Sequence, residues 1–229
     1  MVENSFVARI VPQSKNQEKA WYGDENAIDI KNILCWFGWQ ESHVKLLIDE
    51  EATKYGVIEA IRWLDSKENN DDIVLFMFSG SMDYINGTGI IKLYGIDEEL
   101  SDYELDQELD KMGSKKMAVI LDGSKSGGFA ENIARDGRVI MSSCKKDEEN
   151  HGFLSLENTV FIYYLFQGLA GLANRNRDKV VTAEEAFDYA YPKVVNYPEN
   201  PRYVQHPQIF DGYPTMGDNI EELPLTYLP

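Results

Sequence analysis

A chain of 229 residues with 43% hydrophobic content is long enough to bury a sizeable core, and at this length one α/β domain is expected. Its 39 acidic side chains outweigh 22 basic ones, for a formal charge of −17. That balance opposes the counterion release behind nucleic-acid binding and repels anionic membranes, so neither is an expected partner. Basic peptides and divalent cations stay open, beside the plain reading that the charge keeps the surface soluble.

The start, MVENSFVARIV, lacks the basic region and unbroken apolar core of a signal peptide. The longest apolar run, VFIYYLFQGLAGLA, is interrupted by Gln167 and is too short to span a bilayer. Cys35 and Cys144 form neither a disulfide framework nor a zinc spacing, which suits a reducing compartment. A cytoplasmic location is the expectation.

In chain order, SFVARIV predicts a first strand. DENAIDIKNILCWFG predicts a helix with Ala27, Ile30, Ile33, Leu34 and Phe37 on one face. HVKLLID is a second strand, and a helix from about Thr53 repeats Val57, Ile58, Ile61 and Leu64 at helical spacing. The third strand, DIVLFMF, is uninterrupted apolar, as in parallel strands covered on both faces. GIIKLYG predicts a hairpin arm, and Ser101 with Glu104 forms a capping box that opens the helix DYELDQELDKM. The fourth strand is MAVILD, the fifth GRVIMSSC, and NTVFIYYLFQGLAGLA is a buried helix. Thr182 with Glu185 caps a last helix through about Val194. The segment 198–229 is extended, and Tyr203, Ile209, Phe210 and Tyr213 predict that it packs on the core, residues 1–197. The whole is one α/β domain with a mainly parallel sheet of about six strands between helix layers.

In open parallel sheets, ligands and catalytic groups gather outside the carboxyl ends of the strands. Two such ends stand out here, FMFSGSM after the third strand and VILDGSKSGG after the fourth, where small residues let backbone N–H groups approach a substrate. The ordered segments GDENAIDIKNIL, VKLLIDEEATKYGVIEAIRWL, DDIVLFMFSGS, KMAVILDGSKSGGF, GRVIMSSCKKDE, VFIYYLFQGLAG and YVQHPQIFDGYP cover nearly the whole chain. Together they resemble the caspase and metacaspase superfamily of cysteine peptidases, its bacterial and archaeal caspase-like branch in particular.

That resemblance implies a three-layer caspase-like sandwich and a catalytic His–Cys dyad. The His position falls on Ser81 and the Cys position on Ser124, and Met82 and Gly123 take the oxyanion-like positions. A serine hydroxyl needs an adjacent base, and Ser81 cannot serve as one, so the expectation is a pseudopeptidase with a binding or regulatory role toward a protein segment or an active homologue. The alternatives are an active endopeptidase, with a basic residue before the cleaved bond, whose nucleophile was replaced in this chain or comes from elsewhere, and a non-catalytic structural or interaction domain. Possible rescues are Lys125 as the base for Ser124, Cys144 as a second nucleophile by resemblance to a metacaspase segment, and His151 as a visiting base, with His43 and His206 placed farther away. For the substrate pocket the resemblance points to Asp122, Ser142 and Asp147; the structural alternative for Asp122 is a cap on the following glycine turn.

No cofactor is expected. In NRNRDKVVTAEE, Asn174, Asn176, Asp178, the Val180 backbone, Thr182 and Glu185 fall at EF-hand calcium spacing. Lys179 replaces the turn glycine, Arg175 and Arg177 add positive charge, and Glu185 equally suits a capping role, so a degenerate surface loop is the reading preferred over calcium.

Overall fold

The computed structural model describes residues 22–197, 203–218 and 220–229, together with the backbone of 5–10. Six strands form the main sheet: β1 (Ser5–Ile10), β2 (Val44–Leu47), β3 (Val74–Ser79), β4 (Met117–Asp122), β5 (Arg138–Ser142) and β6 (Gln208–Asp211). Their order is β6-β5-β4-β3-β1-β2; β6 runs antiparallel to β5 and every other pairing is parallel. This is a mixed α/β fold with a mainly parallel sheet.

Helices cover both faces because the central strands are apolar on both sides. Along β3, Leu75 and Met77 join a core with α1 (Gly23–Trp36), α5 (Val160–Gln167) and α6 (Ala183–Val195). Val74, Phe76 and Phe78 face the opposite core, built with α2 (Lys54–Asp65), α3 (Asp102–Leu109) and α4 (Ala130–Ile133). The strand period of two divides the run between two layers, which is why DIVLFMF shows no polar alternation.

Local signals set several boundaries. Thr53, Ser101, Thr159 and Thr182 each accept a backbone N–H at a helix start, and the Ser101 and Thr182 boxes are closed by Glu104 and Glu185. The expected helix over 158–173 is shorter: α5 ends at Gln167 and a π-turn, Gly168–Leu172, follows, with Gly171 at φ 110°. The expected arm GIIKLYG is the middle strand, Thr88–Lys92, of a three-stranded antiparallel sheet with Met82–Ile85 and Glu99–Ser101. Val11, expected to end the first strand, lies outside the described residues, as does the stretch 198–202 of the C-terminal segment.

The described parts of that segment pack on the core. Besides β6, a strand Pro224–Tyr227 pairs antiparallel with Val180–Thr182, and the Trp39 indole donates to the Leu225 carbonyl at 2.6 Å. Among the described residues, no helix is long and apolar enough to cross a membrane.

Candidate functional site at the carboxyl ends of the third and fourth strands

Parallel pairing sets Ser79, the last residue of β3, opposite Asp122, the last of β4. The Asp122 carboxylate is completely buried. Ser79 Oγ donates to it at 2.7 Å, Asn26 Nδ2 at 3.0 Å, Asn150 Nδ2 at 2.9 Å and Thr159 Oγ1 at 3.0 Å. Thus α1, β3, the loop after β5 and the cap of α5 converge on one carboxylate. Each of these four donors is neutral, and burial pushes the Asp122 pKa up to about 6 despite the hydrogen bonds that favour its charged form. Asp122 therefore faces neither an open cleft nor the glycine turn that follows it; it ties elements together in the interior.

Ser124 lies two residues on and is 7% exposed. Its hydroxyl donates to Glu149 Oε2 at 2.8 Å and accepts the Asn150 N–H at 3.1 Å. Neither partner is an imidazole. Ser81 is half-buried, and its carbonyl accepts the Lys92 N–H at 3.0 Å. At the oxyanion-like positions, the Gly123 N–H donates to Ser143 Oγ at 3.1 Å, and Met82 is buried against Gly123. A Cβ at Gly123 would lie 2.5 Å from Met82 Cγ and from the Gly80 carbonyl, so glycine is required for this approach. One candidate oxyanion donor is thus already engaged, and a thioether covers it.

Two of the three rescues, Lys125 and Cys144, are engaged elsewhere. Lys125 Nζ pairs with Asp83 Oδ1 at 2.7 Å, and that hydrogen bond raises its pKa, so the amine is held as a cation away from the role of base. Cys144 is fully buried, its Sγ against the Gly123 and Glu148 carbonyls at 3.4 and 3.3 Å. Burial pushes its pKa up to about 11, so at neutral pH it is a thiol, not a nucleophilic thiolate.

Among the remaining expected residues, Ser142 is buried at the end of β5, opposite Leu121 and Gln208, and Asp147 is exposed. His43 ends a 3-10 turn before β2. His206 Nδ1 contacts Glu148 Oε1 at 2.6 Å, and the ring of His151 lies 4.7 Å from that of Tyr203. In the calcium-spaced loop, Asn176 and Asp178 bond to each other, Asp178 accepts the Val180 N–H, and Glu185 closes the α6 capping box. Asn174 leads into that loop from the π-turn. These groups cap turns and a helix start instead of facing a common centre.

The structure adds Asn26, Asn150, Thr159, Glu149, Ser143 and Gln205 to the site. Gln205 is buried, and its Nε2 donates to the Ser143 carbonyl at 2.8 Å and to Asn150 Oδ1 at 2.9 Å. One signal was present in the sequence: Asn26 sits on the stripe of α1 that buries Ala27, Ile30, Ile33 and Leu34. A polar residue on an apolar stripe needs a buried partner. Thr159 caps α5, and Ser143, Glu149, Asn150 and Gln205 lie in loops and carry no comparable mark.

No family model matches the chain, and no curated protein matches it. Among solved structures it is similar to the crystal structure of protein GSU0716 from Geobacter sulfurreducens, with a TM-score of 0.68 over 99% of this chain and 100% of that one, at 16% identity. At that identity the likeness concerns the fold, a mixed α/β arrangement around a mainly parallel sheet.

Proposed function

We propose that this chain is a caspase-like α/β/α sandwich that does not cleave peptide bonds and acts by binding a protein segment near the carboxyl ends of β3 and β4. The reading of the fold as caspase-like rests on the motif order in the sequence, and the paired strand ends carrying Ser81 and Ser124 are compatible with it. The observation that carries the functional reading is the surroundings of Ser124, whose hydroxyl is bonded to Glu149 and to the Asn150 amide while Ser81 holds the other dyad position. An alcohol is a poor nucleophile unless a well-matched base takes its proton. Loss of one member of a nucleophile–base unit removes on the order of 10⁴-fold in rate, and loss of the second adds little.

Incubation with Arg, Lys and Asp peptide substrates, with and without calcium, tests this reading. The expected result is no hydrolysis above the protein-free rate. Turnover abolished by both Ser124→Ala and Glu149→Gln would overturn it and make the carboxylate a working base; turnover abolished by Cys144→Ala would assign the thiol. If the nucleophile was replaced in this chain, the encoding gene specifies Cys at position 124.

A second reading, a purely architectural domain, is favoured by Met82 against Gly123 and by Gln205 of the C-terminal segment buried beside Asn150. Peptide binding separates the two readings.

A further inference from the structure

The segment that delivers Gln205 has an unusual relation to the site. Residues 203–207 form no ladder with a neighbouring strand, although β6 begins at the next residue. Tyr203 and Val204 are 45% and 52% exposed, whereas Gln205, the next residue, is 2% exposed. All of its side-chain polar atoms are engaged: Nε2 donates to the Ser143 carbonyl and to Asn150 Oδ1, and Oε1 accepts the His151 N–H at 3.3 Å. A primary amide has two donors and an acceptor, and the pocket presents two acceptors and a donor. Asn150 then passes the contact inward, with its Nδ2 on Asp122 and its N–H on Ser124 Oγ. Beside it, Glu148 accepts both the His206 N–H at 2.8 Å and the His206 ring at 2.6 Å, which clips the segment down.

We infer that the pocket formed by the Ser143 carbonyl, Asn150 and the His151 N–H is a carboxamide-recognition site, and that Gln205 is its intramolecular occupant, in place of the glutamine of an extended protein segment. The inference rests on the proposed binding role and names both its ligand class and its regulation: a partner segment enters when 203–207 lifts. Specificity follows from complementarity. A pocket built to hydrogen-bond an amide rejects an apolar side chain, because its own buried polar groups are then left unpaired. An extended segment suits the site because the resident one, outside any helix or strand, turns Gln205 and Pro207 inward and leaves Val204 exposed.

The test uses the full-length chain carrying Gln205→Ala and a fluorescent, end-blocked peptide of sequence YVQHP, with YVAHP as its partner probe. By anisotropy, the variant is expected to bind the glutamine peptide at least about tenfold more tightly than the alanine peptide, and the parent chain to bind the glutamine peptide at least about tenfold more weakly than the variant does. Equal affinity of the folded variant for both peptides, or no binding of either, overturns the assignment. Should Gln205→Ala fail to fold, hydrogen exchange on the parent chain decides: excess glutamine peptide must speed exchange in 203–207 while the alanine peptide leaves it unchanged, and unchanged exchange with both overturns the assignment. Mass spectrometry of the same samples separates the two readings. A cleaved peptide refutes catalytic silence but leaves the pocket assigned, and an intact peptide bound without discrimination refutes the pocket alone.

Discussion

The two ends of the same central strands bury charge in opposite ways. At the amino end, Arg138 opens β5 with a guanidinium only 5% exposed, bonded to Asp106 Oδ1 at 2.8 Å, Asp110 Oδ1 at 2.8 Å and the Ile133 carbonyl at 2.6 Å, while Arg135 also reaches Asp106 and Asp110. At the carboxyl end, Asp122 has four neutral donors and, among the described residues, no cation. The first arrangement settles its charge by pairing and works as a clamp between α3 and β5. The second leaves a carboxylate that burial pushes up to a pKa of about 6, against neutral donors that favour its charge, so its state depends on pH. Polar groups held in that unsettled way are what a binding site can exploit, and the chain places them where parallel sheets gather ligands.

Breaking the clamp should have the largest effect. Arg138→Met leaves Asp106 and Asp110 with Arg135 alone and removes the donor to Ile133, and urea unfolding should show a loss of about 4 kcal/mol, within the range for stripping one partner from a buried pair. A loss below about 1 kcal/mol would mean that the two ends do not differ as described.

The next test sharpens the other side. A carboxyl whose folded pKa lies above its unfolded value contributes stability that is fully present below the unfolded pKa and lost as pH rises through the folded one. For Asp122, raised from 3.8 to about 6, that window runs from about pH 4 to about pH 6, and about two units correspond to about 3 kcal/mol. Glu184, raised by burial to about 7, acts with the same sign to slightly higher pH. Parent stability should therefore fall from pH 4.5 to pH 7 more steeply than that of Asp122→Asn. Urea midpoints at the two pH values check this, and parallel profiles would remove the titrating role from Asp122.

The smallest effect concerns the thiols. Burial raises the pKa of both, but Cys144 is fully buried beside the site and Cys35 only half-buried on α1. Maleimide labelling at pH 7 should modify Cys35 first, with Cys144 at least about tenfold slower until urea is added. Equal native rates would place the thiol of Cys144 within reach of solvent and reopen it as a nucleophile.

Much of the scaffold was legible because it is written in neighbouring residues. A capping box is a contact between positions three apart, and Ser101 with Glu104 and Thr182 with Glu185 close as expected. The apolar stripe of α1 and the double-sided burial of β3 follow from periodicity in the same way. The end of α5 was missed because apolar residues continue through the π-turn, and only the conformation of Gly171 marks the change.

The candidate site depended on longer distances. The strand ends drew attention to FMFSGSM and VILDGSKSGG, and the resemblance of the motif order to the caspase superfamily singled out Ser81, Asp122 and Ser124 there, with serine at both positions where it implies an imidazole and a thiol. What those residues touch was decided by the tertiary structure. Asn26 meets Asp122 across 96 positions of sequence, Thr159 meets it across 37, and Gln205 meets Asn150 across 55. The stripe of α1 marks Asn26 as buried, but no period or local motif names the partners of such hydrogen bonds. Each arises only once the sheet has brought distant polar groups into an interior where none can turn to water for a partner.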